Sequence, residues 1–210
     1  MRRYMLVDDN VAFAENVAEI LTDAGATVTS AHDAASALEI VKRTRFDALV
    51  TDMRMPGGSG ADLLREVRHT DPGLPVVLLS AYAANEQLAE VRRLGLFAFL
   101  SKTTNPRQLV QLLENAQRDR VVIAVTDDEA WVDQVREAVT PLGITVCGTA
   151  EDQPIAQLPP PLAVLAAPSG GCVERLKLVD SYFPGVARLP TTLSPGETAR
   201  RLATMMSARA

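Results

Sequence analysis

The sequence predicts an α/β protein: a doubly wound parallel sheet followed by a smaller, truncated version of the same plan. Two observations predict it. Residues 1–118 alternate five short apolar runs with five stretches of helical period. At Val121 the chain then begins again, V-V-I-A-V-T-D-D echoing L-V-D-D at Leu6–Asp9, as an internal repeat does.

The elements follow in order. Met5–Val7 is a short strand closing on Asp8, Asp9 and Asn10, any of which can cap the next helix. Phe13, Val17, Ile20, Leu21 and Ala24 are spaced for one helical face, and Gly25 stops that helix. Thr27–Ser30 is a second strand, and Asp33 caps a helix with Leu38 and Val41 inward. Ala48–Thr51 is a buried strand ending in a carboxylate, Asp52, after which Pro56, Gly57, Gly58 and Gly60 force a loop. A helix with Leu63, Leu64 and Val67 follows, then a turn at Pro72-Gly73. Val76–Leu79 is an apolar strand ending in Ser80, Glu86–Leu94 is helical, and Gly95 stops it. Phe97–Leu100 is a fifth strand ending in Ser101-Lys102. Asn105-Pro106 then opens a helix with Leu109, Leu112, Leu113 and Ala116 inward. Right-handed crossovers close five such strands in the flavodoxin-like order 2-1-3-4-5.

Residues 121–210 carry fewer elements. Val121–Val125 is a strand, Trp131, Val135, Val139 and Leu142 share a helical face, and Ile144–Cys147 is a second strand. The proline-rich stretch Gln153–Pro161 leaves little room for a helix. Leu162–Ala166 is a third strand, Leu176 and Val179 mark a helix, and a strand near Ala187–Thr192 and a helix from Pro195 complete the repeat, which is short by one strand–helix unit. The joint near Arg118–Arg120 has no Gly, Ser or Pro, so it should be stiff, with a helix running into the second strand set as one way to make it so.

Composition sets bounds. At 210 residues and 47% hydrophobic, the chain can build a sizeable core. A net charge of −5 without a basic block argues against a nucleic-acid surface. The N-terminus turns acidic too soon for a signal peptide, and no apolar run approaches membrane-spanning length. The two cysteines, Cys147 and Cys172, lack metal spacing and read as free, buried thiols of a reducing, cytoplasmic compartment. His32 and His69 read as surface histidines without function.

In an open parallel sheet, reactive groups gather at the carboxyl ends of the strands. Asp8, Asp9, Asp52, Ser80 and Lys102 would meet there. Three crowded carboxylates raise one another's pKa, and a hard divalent cation such as Mg²⁺ relieves the repulsion. An acidic pair, a lone nucleophilic carboxylate, a hydroxyl and a lysine are the parts needed to accept a phosphoryl group.

With these residues in place, the first half resembles the receiver domain of bacterial two-component response regulators. The match rests on Asp8-Asp9, Asp52 with Pro56 four later and Gly60 eight later, Ser80-Ala81, and Lys102. The resemblance implies a phosphorelay protein in which Asp52 takes a phosphoryl group from a sensor histidine kinase or a histidine phosphotransfer protein. It implies that Asp8, Asp9, Asp52 and the Arg54 carbonyl bind Mg²⁺, that Ser80, Ala81 and Lys102 hold the phosphoryl oxygens, and that Ser80 and Phe99 form the switch. Output then runs through phosphorylation-dependent contact with a downstream protein, or a homodimer through the fourth helix, fifth strand and fifth helix. No enzymatic turnover is expected beyond self-phosphorylation from small phosphodonors and self-dephosphorylation. Nucleic acid and membrane are not expected partners.

Two positions depart from the family. Thr103 stands where a proline usually follows the lysine in a cis bond, so either Lys102–Thr103 is cis or the loop differs. Arg54 and Tyr82, each two residues past a motif residue, flank the path of attacking water, which predicts slow dephosphorylation. Residues 121–210 look like a degenerate receiver in tandem. Asp127 and Asp128 match the acidic pair, but the third strand ends in Ala166-Ala167 and Lys177 falls on a helix. Two competing classes are weaker. A phosphatase of the haloacid-dehalogenase kind needs a second acid two residues after its nucleophile, where Arg54 sits, and a DNA-binding regulator needs a helix-turn-helix or basic face that residues after Arg118 lack.

Overall fold

The computed structural model describes residues 1–56, 58–81, 91–92, 94–118, 120–148, 158–167 and 172–208. The first half contains five parallel strands, β1 (Arg3–Val7), β2 (Thr27–Ala31), β3 (Ala48–Asp52), β4 (Val76–Ser80) and β5 (Ala98–Ser101), in the order β2-β1-β3-β4-β5. This is the order expected. Strands β3 and β4 are buried along their whole length, as a parallel sheet covered on both faces requires. Helix α1 (Val11–Asp23) is capped by Asn10, α2 (Ala34–Arg43) by Asp33, α3 (Gly60–Thr70) by Ser59 and α4 (Pro106–Asn115) by Asn105. Gly25 and Gly95 take positive φ (89° and 88°), the left-handed conformation that ends a helix at little cost to glycine. The helix expected over residues 86–94 lies largely outside the described residues; 91–92 are helical.

Two apolar layers flank this sheet. Leu49, Leu63, Leu64, Val67 and Leu78 pack with α2 and α3 on one side. Val17, Leu21, Val50, Leu79, Leu109 and Leu113 pack with α1 and α4 on the other. Burying each such Leu or Val contributes about 1.5–3 kcal/mol. Ala24, expected inward, is exposed as the C-cap of α1, and the buried face is instead Ala14, Val17 and Leu21.

In the second half β6 (Val121–Val125), β7 (Thr145–Cys147), β8 (Ala163–Ala166) and β9 (Arg188–Pro190) form a parallel sheet in the order β9-β8-β6-β7. Counted from β6, that is 2-1-3-4, the order of the first sheet without its last strand. Helices α5 (Glu129–Val139), α6 (Cys172–Tyr182) and α7 (Pro195–Ser207) cover it. The expected loop at 153–161 falls largely outside the described residues. Neither cysteine is in a disulfide and both are buried, as expected.

No continuous helix spans the described residues of the joint. Helix α4 ends at Asn115 and β6 starts at Val121. Arg118 donates to the Phe46 carbonyl at 2.6 Å and pairs with Asp71, while Arg120 donates to the Leu142 carbonyl at 3.0 Å. Side-chain bonds thus tie the joint to both halves.

Candidate functional site

The register of the ladders assembles the site. Val7 pairs with Thr51, Asp52 with Leu79, and Ser80 with Ser101. Residues 8, 52, 80 and 102 therefore stand at one edge. Asp8 is fully buried, Asp52 and Ser80 nearly so, and Asp9 is exposed. Carboxylate oxygens of Asp8, Asp9 and Asp52 lie within 4.8 Å of one another.

Lys102 enters from the end of β5, its N–H held by the Ser80 carbonyl at 2.9 Å. Its ammonium donates to Asp52 Oδ2 at 2.7 Å and stands 2.7 Å from Asp8 Oδ2. Only the first contact is aligned as a hydrogen bond; Asp8 Oδ2 is a buried oxygen with no hydrogen-bond partner. The other Asp8 oxygen accepts from the Asn10 N–H at 3.0 Å. Burial pushes the Asp8 carboxyl above its ordinary value; Lys102 and the Asn10 N–H pull it back and the Asp52 charge adds to the rise. For Lys102, burial alone would lower the pKa, and the Asp52 hydrogen bond with the charges of Asp52 and Asp8 outweighs it, so the ammonium sits above its ordinary value.

Three carboxylates gathered within 4.8 Å of one another, two of them sharing a single ammonium, suit a hard divalent cation, and oxygen ligands of this kind favour Mg²⁺. The donor set therefore fits that metal.

Gly60 explains the loop after Asp52. A Cβ there would fall 2.3 Å from the Asp52 carbonyl oxygen and 2.8 Å from Leu78 Cδ2. Ser59 and Asp62 close a capping box at the start of α3, so the loop returns directly into a helix. Arg54 lies on a two-residue ladder, paired with Ser59. Phe99 is partly buried against the α2–α3 layer, beside Leu78 in the register. Ser80, two residues past Leu78, shares that side of the sheet. No peptide bond among the described residues is cis, so the loop differs at Lys102–Thr103; Thr103 Oγ1 lies 2.7 Å from Ser101 Oγ. Tyr82 lies outside the described residues.

Two contacts went unseen in the sequence. Phe13 places its ring under the Lys102 ammonium, 4.9 Å from the centroid. The two also line a cavity of about 210 Å³ between α1, β5 and α4. His32 is exposed, as expected, yet its Nδ1 lies 3.1 Å from the Asp8 carbonyl oxygen. In the second half, Asp128 caps α5, while Asp127 pairs with Arg175. No further cluster of three metal-ligating side chains occurs among the described residues, and no described helix is long and apolar enough to cross a membrane.

Comparison with known proteins agrees with this geometry. The family described as response regulator receiver domain matches residues 4–114. A response regulator receiver protein of Anaeromyxobacter sp. is 39% identical over 197 residues, covering 91% of this chain and 83% of that protein. The chemotaxis protein CheY of Pseudomonas aeruginosa is 34% identical, covering 53% of this chain and 93% of CheY. The chain spans only 29% of the transcriptional regulatory protein GlrR of Escherichia coli, to which it is 30% identical. Among solved structures, the receiver domain of the sensor histidine kinase PA1611 of Pseudomonas aeruginosa, with magnesium in its active-site cleft, aligns with a TM-score of 0.51 at 26% identity. That alignment covers 54% of this chain and 94% of that one.

Proposed function

The chain belongs to the response regulator receiver family, and from that premise we propose that Asp52 is its phosphoacceptor. The observation that carries this is the convergence of Asp8, Asp9 and Asp52 with one ammonium shared between Asp8 and Asp52. In the transfer, an Asp52 carboxylate oxygen bonds to phosphorus as the P–N bond of a phosphohistidine breaks, and the imidazole leaves. The donor is a sensor histidine kinase or a histidine phosphotransfer protein.

Asp8, Asp9, Asp52 and the Arg54 carbonyl would hold Mg²⁺. When bound, the metal supplies positive charge to the phosphoryl oxygens. Lys102, kept protonated by its two carboxylates, offers a second cation, and the Ser80 hydroxyl and Ala81 N–H are further donors. Ser80 and Phe99 are the switch pair: drawing Ser80 toward a phosphoryl group frees space on the side of the sheet that Phe99 occupies. Arg54 and Tyr82 slow the return by water.

Residues 1–118 are the phosphoacceptor domain, and residues 121–210 are a receiver-like module without the chemistry. The repeated 2-1-3-4 strand order supports the second assignment. So does the Asp127–Arg175 pair, which supplies the acidic pair with a built-in cation. Output runs through protein contact, with self-association through the fourth predicted helix, β5 and α4 as one form of it.

Incubation with acetyl phosphate and Mg²⁺ should add one phosphoryl group, and Asp52→Asn should abolish it. Label persisting in that variant sinks the assignment.

A further inference from the structure

We infer that residues 121–208 read the state of the Asp52 site through a contact made by Arg92, Asp133 and Arg136. This rests on the reading of Asp52 given above. Asp133, on α5, pairs with Arg92 of the first half at 2.5 Å and with Arg136 one turn along its own helix. Arg136 then crosses back: its Nη2 donates to the Arg92 carbonyl at 2.7 Å. Arg136 of the second half thus supplies a cation to the carbonyl of Arg92, a residue of helical conformation in the first.

The contact demands a defined geometry. Arg136 is 7% exposed, and Asp133 stands between two guanidinium groups. If Arg92 moves, Arg136 loses the Arg92 carbonyl as an acceptor and Asp133 loses one of its two guanidinium partners. The packing alongside is equally close. A Cβ on Gly95 would fall 2.5 Å from Cys147 Sγ, and one on Gly143 2.2 Å from the Asn115 carbonyl oxygen. The halves are thus fitted to one another at the chain segment that leads into β5 and at the end of α4.

That segment connects to the site at both ends. Ser80 closes β4, and the chain from it runs to Arg92; from Gly95 it enters β5, which delivers Lys102. The Phe97 N–H is fixed to the Val76 carbonyl at 2.9 Å, and Thr140 reaches the Phe97 carbonyl at 3.4 Å. The second half thus lies against the residue that precedes the strand carrying Lys102. A ligand that redistributes the Lys102 ammonium between Asp8 and Asp52 favours one arrangement of that strand and segment. Contact and site then share a free energy, and each changes the affinity of the other by the same factor.

Trp131, the chain's single tryptophan, reports on this without a label. It lies on α5 two residues before Asp133, with Nε1 donating to the Leu193 carbonyl at 2.9 Å. Full-length protein is titrated with beryllofluoride and Mg²⁺ while Trp131 emission is recorded. Emission should shift on loading and stay constant in Asp52→Asn. Asp133→Asn and Arg92→Gln, which alter the contact from opposite sides, should each suppress the shift and change beryllofluoride affinity by roughly fivefold or more. Circular dichroism identifies a variant that has lost its fold, leaving the other to decide. If mass spectrometry finds Asp52 phosphorylated by acetyl phosphate while Trp131 emission and both variants' affinities match the unaltered protein, the inference is overturned. If Asp52 takes no phosphoryl group at all, the assignment of Asp52 falls first and the inference with it.

Discussion

Lys102 holds its ammonium over the face of the Phe13 ring, 4.9 Å from the centroid, while touching Asp52 at 2.7 Å. The ring faces the ammonium from α1, and the adjoining cavity of about 210 Å³ offers the lysine stem somewhere else to go. A cation over an aromatic face is worth roughly 0.5–2 kcal/mol. Phe13→Leu should therefore slow phosphorylation by acetyl phosphate about two- to tenfold at fixed Mg²⁺, and Phe13→Tyr should restore most of the rate. Equal rates in all three proteins would remove Phe13 from the site.

Lys102→Ala should be destabilised most in the absence of metal. The substitution leaves Asp8 and Asp52, whose side chains are 1% and 11% exposed, facing one another without a cation. Removing one partner of a fully buried pair costs about 3–5 kcal/mol, and the 18% exposure of the Lys102 side chain puts this loss below that range. Thermal unfolding with EDTA and with Mg²⁺ checks it: the metal should raise the variant's melting temperature more than it raises that of the unaltered protein. Equal increments count against a shared role for Lys102 and the cation.

Gly60→Ala should destabilise by about 1–3 kcal/mol, the usual range for overpacking. The added methyl meets the backbone carbonyl of Asp52, which cannot yield as a flexible side chain would. Because that carbonyl belongs to the proposed phosphoacceptor, phosphorylation should fall as well. Denaturant unfolding and acetyl phosphate labelling measure the two effects separately.

The capping box predicts an acid-dependent stability. Hydrogen bonds from the Ser59 side chain and N–H, with Arg65 beside them, hold the Asp62 carboxyl below its ordinary value of 3.8. A lowered folded-state pKa contributes stability that is present above the ordinary value and is lost as pH falls through the folded one. Asp62→Asn should therefore be less stable than the unaltered protein near neutrality, and the gap should close as pH drops below 3.8. Ser59→Ala should cost about 1 kcal/mol near neutrality. A gap independent of pH would place the effect outside the carboxylate.

The sequence by itself determined the strand order of the first sheet and the meeting of Asp8, Asp52, Ser80 and Lys102 at one edge. Both follow from local signals. Short apolar runs, capping residues and glycines mark each element, and parallel strands with right-handed crossovers must bring every carboxyl end to the same side. The shortened second half was legible for the same reason, since it repeats the pattern with one unit missing. Tertiary structure alone decided what touches across elements distant in the chain. Phe13 read as a core position of α1, and only the rotation of that helix on the sheet put its ring beneath Lys102. Arg68 of α3 is buried, its guanidinium held by the carbonyls of Pro72, Leu74, Leu94 and Gly95, a burial no local pattern marks. Arg92 and Asp133 stand 41 positions apart, on elements whose meeting depends on how two sheets dock. Charged side chains of this kind carry no periodic signal: whether they face water or one another is settled by burial after docking, through a desolvation cost that local sequence does not encode.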